Sequence, residues 1–206
     1  MRVLVLNCGS STLKFELFNA VNSETGPVSR LALGLADRIG QDGRVEFAAT
    51  DGQTLSEPAT LSGHGEAVRR VLAWLDSTGL NGPEGIEAVG HRVVHGGARF
   101  SESVTITDRV IAAIEEVTQL APLHNGPSLQ TIKAAQEALG PGVPMVAVFD
   151  TAFHRTMPEV ASRYAIPPKL ADQHHIQRYG FHGIAHRYLA ERYAAIAERP
   201  VGELKL

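Results

Sequence analysis

A single cysteine, Cys8, in 206 residues excludes an intrachain disulfide framework and fits a reducing compartment. Long apolar runs are also lacking: none approaches the roughly 18 residues needed to cross a bilayer, so no membrane partner is expected. The apolar opening, RVLVL, is too short for a signal-peptide core and runs into polar residues, so a cytoplasmic protein is expected. An excess of either charge is missing as well, with 19 Lys and Arg against 22 Asp and Glu and a formal charge of −3. That balance gives no electrostatic reason to expect nucleic acid. What the chain has is ordinary globular composition, 44% hydrophobic and 20% charged. Its length suits one large domain, or one domain and part of another.

The patterning is strand-rich first and helical later. RVLVL is a short apolar run suited to a strand buried on both faces. In LKFELF, Leu13, Phe15 and Leu17 alternate with Lys14 and Glu16, the period of a half-buried strand. SRLALGL and GRVEFAA predict two further strands, and the polar stretch 50–65 is expected to be a surface excursion. Helical spacing begins near Glu66 with Val68, Val71, Leu72 and Leu75. It returns at Val110, Ile111, Ile114 and Val117, and again at Leu129, Ile132 and Ala135. GIEAVGHRVVHGG and PMVAVFD read as strands, and 183–197 as a last helix. A strand meander followed by alternating helices and strands predicts an α/β domain with a mixed sheet. The pattern changes near Asp150, which sets expected boundaries of 1–150 and 151–206.

Unusual polar residues gather at strand ends, where open α/β sheets bind ligands. LNCGSSTLKF places small hydroxyl residues, a Gly and Lys14 between two strands. That suits either a polar hairpin turn or a loop whose backbone N–H groups approach a phosphate. It is not a Walker A motif, because Lys14 lies inside the second strand and no Gly directly precedes it. Cys8 is expected to be a buried thiol rather than a nucleophile. Arg92 and Val94, two apart in a strand, share a face and suit the charged and methyl ends of a small carboxylate, or else a structural salt bridge. Asp150 ends a buried strand, as a catalytic or metal-linked carboxylate would, or a turn Asp. His124 sits just ahead of an expected helix. His182 precedes the last helix, whose N–H groups suit phosphate. His182 and His186 have the spacing of a metal pair, but no Glu lies between them, so no zinc is expected.

Taken together, VLVLNCGSSTLKFELF, VGHRVVHGG, APLHN, VFDTAFHRTMP and RYGFHGIAHRY closely resemble the acetate, propionate and butyrate kinase family. The motifs run in family order from the N-terminus to about Tyr188. The resemblance implies an actin/hexokinase-like (ribonuclease H-like) domain with a mixed sheet, plus the start of a second such domain. It implies reversible, ATP-dependent phosphorylation of acetate or another short-chain carboxylate, with Mg²⁺, in a protein that is a homo-oligomer at full length. Carried over by position, Asn7 lies at the metal, and Ser10, Ser11, Thr12 and Lys14 line the ATP phosphates. Arg92 binds the carboxylate, with Val94, Leu123 and Phe181 around its methyl group. Asp150 is the acidic catalytic residue, and His124 and His182 stabilise the transferring phosphoryl. Acetate is already ionised at neutral pH, so Asp150 need not deprotonate it. Orienting Arg92 or metal-bound water suits it better.

The chain departs from the family pattern at Thr12, a Ser in most members, and at Ala98, a Glu in most. LHNGP and GFHGIAH replace LHNP and GFHGTSH, so Ile184 and Ala185 remove two hydroxyls beside the expected phosphate path. Family chains are about twice as long. The resemblance places the next core strand at VGELKL, and the second phosphate motif, adenosine pocket, a site arginine and an acidic metal ligand beyond it. The chain by itself is therefore expected to be inactive. The alternative is a folded fragment that only binds acetate, phosphate or a complementary half.

Overall fold

The computed structural model describes residues 1–20, 28–81 and 85–204. RVLVLNC forms β1 (Arg2–Cys8), and an antiparallel meander follows: β2 (Leu13–Ala20), β3 (Val28–Asp37), β4 (Asp42–Ala49) and β5 (Thr54–Thr60). After helix α1 (His64–Ser77) the chain returns as β6 (Ala88–Val93), parallel to β1. A two-residue strand, β7 (Val104–Thr105), precedes α2 (Asp108–Glu116) and α3 (Pro122–Leu139), which lead to β8 (Met145–Phe149), parallel to β6. The mixed sheet has eight strands in the order β5-β4-β3-β2-β1-β6-β8-β7.

Register sets one face of this sheet as the core. Leu6 stands opposite Phe15 on one side and His91 on the other, and His91 stands beside Ala147. All four are buried, as are Val71 and Leu75 of α1 and Ile132 and Ala135 of α3 in the same cluster. Phe15, Phe47 and Trp74 form an aromatic triangle with centroids 5.2–6.0 Å apart. Gly34 makes it possible, since a Cβ there would lie 2.5 Å from both phenyl rings. His91 is the exception in this face. Its Nε2 is buried with no hydrogen-bond partner, and burial pushes its pKa down to about 4, so the ring is neutral at pH 7.

Four expectations need correction. The stretch 50–65 is not an irregular excursion, because Thr54–Thr60 forms the edge strand β5. Its alternate side chains are only half-buried, and Pro58 is tolerated because one side of an edge strand needs no donor. The third helix begins at Pro122, so His124 lies in its first turn rather than ahead of it. Pro at the first helical position suits φ there and sacrifices no bond. β6 ends at Val93, which puts Val94 one residue beyond the strand. VGELKL does not open a strand within the described residues: Val201–Glu203 is a 3-10 turn, and 205–206 lie outside them.

Among the described residues all eight strands lie before Asp150. After it come a 3-10 turn (Ala152–Thr156), the short helices α4 (Glu159–Ser162) and α5 (Pro168–Gln173), and α6 (Gly183–Ala197). Among the described residues no helix is long and apolar enough to cross a membrane.

Candidate active site at the ends of the parallel strands

Three parallel strands end side by side, and each delivers one polar side chain. Asn7 of β1 is in register with Arg92 of β6, and the Asp150 N–H continues the ladder past β8 by donating to Val93 O at 3.0 Å. Arg92 donates from Nε (3.1 Å) and Nη2 (2.5 Å) to Asp150 Oδ2, and from Nη1 to Asn7 Oδ1 at 3.0 Å. The Asp150 side chain is 2% exposed and that of Arg92 is 24% exposed. The carboxylate is therefore enclosed and spent on orienting the guanidinium, whose other N–H donors have no protein partner among the described residues. A planar fork held from behind in this way suits a ligand carboxylate. Lys14, exposed on β2, is in register with Asn7, so Lys14, Asn7 and Arg92 share the sheet face opposite the core.

The loop joining β1 to β2 is fixed by its own backbone. Gly9 N–H donates to Thr12 O at 2.8 Å, and Ile39 N–H donates to Ser11 O at 2.9 Å. A Cβ at Gly9 would lie 2.5 Å from Thr12 Oγ1, so a larger residue there would force the Thr12 side chain to turn away. His64, buried at the start of α1, donates from Nε2 to Gly9 O at 2.9 Å, and burial lowers its pKa. The Cys8 thiol also points at Gly9 O, at 3.4 Å, and burial pushes its pKa up to about 11. It stays protonated at neutral pH and is no nucleophile. Ser10, Ser11 and Thr12 are thus presented by this turn and Lys14 by the strand that follows it, with Ser10 and Lys14 exposed.

Residues after β6 draw in the apolar and histidine partners. The fully buried Asn125 accepts from His95 N–H at 3.1 Å and donates to His95 O at 2.9 Å, tethering the first turn of α3 to this segment. Leu123 and His124 ride on that turn, and Leu123 is 71% exposed. Val94 is buried. The His95 ring meets Tyr179 edge-on at 4.5 Å and Phe181 at 5.7 Å, so Phe181 is brought to the same strand end. Thr151 Oγ1 accepts from Gly96 N–H at 3.0 Å, closing the turn from below.

His182 caps α6 with a left-handed backbone, φ 55° and ψ 26°. Gly183 N–H is not free for phosphate, as the sequence had suggested; it donates to Asp150 O at 2.9 Å. Asp150 therefore anchors Arg92 with its carboxylate and the start of α6 with its carbonyl. The His186 ring meets His154 at 5.7 Å, and among the described residues no three His, Cys, Asp or Glu side chains converge.

This constellation has known relatives. The Acetokinase family model matches residues 2–206. The chain belongs to the acetokinase family. It is 50% identical to the acetate kinase of Alkaliphilus metalliredigens over 210 residues, covering all of this chain and 52% of that one. The crystal structure of Porphyromonas gingivalis acetate kinase superposes with a TM-score of 0.84 at 41% identity, over 97% of this chain and 50% of that one. A propionate kinase from Francisella tularensis gives a TM-score of 0.84 at 39% identity, over 96% and 49%. The chain thus spans about half the length of the relatives it matches, and its α/β sheet is of the expected actin/hexokinase-like class.

Several acetokinase residues in this site carried no role in the sequence reading. His95, Asn125, Thr151 and His154 all lie inside the quoted motifs, but their work is to hold backbone, which leaves no pattern of spacing. His64 lies outside those motifs, and nothing in the sequence connects it to Gly9, 55 positions earlier.

Proposed function

We propose that this chain supplies the first half of a short-chain acyl kinase that transfers the ATP γ-phosphoryl to acetate, forming acetyl phosphate reversibly. The observation that carries the reading is the Asn7–Arg92–Asp150 cluster, with Arg92 held by two bonds to one buried carboxylate oxygen. Residues 1–150 form the substrate-side domain in this reading, and residues 151–206 open a second domain that brings the nucleotide.

The chain's own residues divide the work by position. Arg92 binds the acetate carboxylate and presents one oxygen as nucleophile, and Asp150 keeps the guanidinium aimed. Val94, Leu123 and Phe181 surround the methyl group and exclude water. Lys14 and the hydroxyls of Ser10, Ser11 and Thr12 meet the phosphates. His124 and His182 stand at the moving phosphoryl as hydrogen-bond donors. Bringing two anions together is the main obstacle in this chemistry, and positioning with charge neutralisation overcomes most of it.

Magnesium fits this donor set as a phosphate-borne ion. Mg²⁺ needs few protein oxygens because it keeps waters and binds substrate phosphates. Asn7 would hold it, because its amide oxygen keeps a lone pair beyond the bond it accepts from Arg92. When bound, it neutralises phosphate charge.

The test is acetate binding by the chain itself, followed through amide shifts of residues 92–96. Losing a hydrogen-bonded contact to a charged group costs about 1.5–3 kcal/mol, or roughly tenfold to a hundredfold in affinity. Arg92→Ala is expected to lose that much, and Arg92→Lys to recover little of it. Identical acetate titrations of the chain and its Arg92→Ala variant contradict the assignment.

A further inference from the structure

We infer that His154 is a positioning residue that holds His182 in the left-handed backbone conformation from which α6 begins. A non-glycine residue with positive φ is uncommon, and it persists where the surrounding structure over-determines it. His182, at φ 55°, is gripped on both sides. On one side Gly183 N–H donates to Asp150 O at 2.9 Å, an approach so close that a Cβ on Gly183 would lie 2.1 Å from that oxygen. On the other side Phe181 O lies 2.9 Å from His154 Nε2. A carbonyl only accepts, so the imidazole must carry its proton on Nε2 and donate it.

The His154 ring is itself fixed. Gly180, at φ 75°, lies against its face, where a Cβ would come within 2.4 Å of the ring. Phe153 and His186 meet it edge-on at 5.3 and 5.7 Å. His154 belongs to the 3-10 turn that starts two residues after Asp150. One strand end thereby supplies both grips on His182 while its carboxylate aims Arg92. In the proposed reaction, on which only the purpose of this device rests, the two grips fix where the His182 imidazole meets the phosphoryl group.

Two variants and one spectrum test this in the chain as it stands. A long-range ¹H–¹⁵N spectrum is expected to show His154 as the Nε2–H tautomer. His154→Phe keeps a ring against Gly180 but has no donor. Scalar couplings are expected to show His182 leaving positive φ in that variant, with the Gly183 amide exchanging about tenfold or more faster. His154→Gln, which can reach the same carbonyl with an N–H, is expected to restore both readouts. A general packing role would not discriminate Phe from Gln in this direction. An Nδ1–H tautomer in the wild-type chain, or a His154→Phe chain with unchanged His182 φ and Gly183 exchange, overturns the inference. Should His154→Phe not fold, the tautomer decides: Nε2–H supports the inference and Nδ1–H overturns it. Absence of acetate phosphorylation would defeat the proposed function and leave these conformational readouts unaffected.

Discussion

Residues 2–149 and 151–204 are built on different terms. The first region buries Leu4, Leu6, Phe15, Leu17, Ile132 and Phe149 almost completely between one sheet face and two helices. In the second, among the described residues, Ala171 is the one buried apolar side chain. Its longest helix, α6, leaves Tyr188, Leu189, Tyr193 and Ile196 between 51% and 66% exposed. Yet this is the region that carries Phe181 and His182 to the strand ends. The sheet region has its own reason to fold, and the later region is held to it through Asp150 O and the His95 ring contacts. Large exposed apolar faces mark surfaces that another partner covers. In the proposed reading that cover is the second half of the kinase.

The contrast can be broken most forcefully in the aromatic triangle. Phe15→Ala leaves a cavity against Phe47 and Trp74, and truncations of this kind cost about 3–5 kcal/mol. Leu189→Ser removes no buried contact and is expected to change stability by less than about 0.5 kcal/mol. Denaturant unfolding of both variants checks the pair. Equal losses would mean that the two regions share one core after all.

Acid sharpens the same contrast. His91 has a folded pKa of about 4 against the ordinary 6.5, so the unfolded chain binds this proton more readily. Its contribution to stability is fully present above pH 6.5 and is lost as pH falls through 4. At about 1.4 kcal/mol per pKa unit the loss reaches roughly 3 kcal/mol. His64 and His95 are lowered by burial and act in the same direction. Unfolding between pH 7 and 4 should show that slope, and His91→Leu should flatten it. A His91→Leu chain with the wild-type slope contradicts the assignment to this ring.

The smallest thermodynamic effect is expected on α6, where its readout is association rather than unfolding. Leu189→Ser with Ile196→Ser should reduce self-association in sedimentation while leaving the unfolding midpoint nearly unchanged. Association that persists in the double variant would place the sticky surface elsewhere.

Much of the sheet was legible because burial on one or both faces imposes its period on the residues, as in β1, β2, β6 and β8. β5 was not, because an edge strand is held by backbone bonds and leaves Thr54, Ser56 and Thr60 exposed. The start of α3 was hidden by Gly126 and Pro127, which read as a loop although tertiary bonds from Asn125 hold the first turn. In the site, Arg92 and Asp150 stand out because charged groups at the ends of apolar strands are unusual, whereas Asn7 is singled out by the family resemblance alone. Their meeting at one point came from the parallel pairing of β1, β6 and β8, which spacing alone does not reveal. His64 and His154 act on backbone carbonyls, and such partners leave no trace in side-chain pattern.

Acetyl phosphate formation tests the central claim most directly. The purified chain would be assayed with acetate, ATP and Mg²⁺, alone and mixed with a polypeptide carrying the second half of the Alkaliphilus metalliredigens acetate kinase. No turnover is expected from the chain alone, measurable turnover from the mixture, and its loss when the chain carries Arg92→Ala. Robust acetyl phosphate formation by the chain alone, or undiminished turnover with Arg92→Ala in the mixture, would contradict the claim.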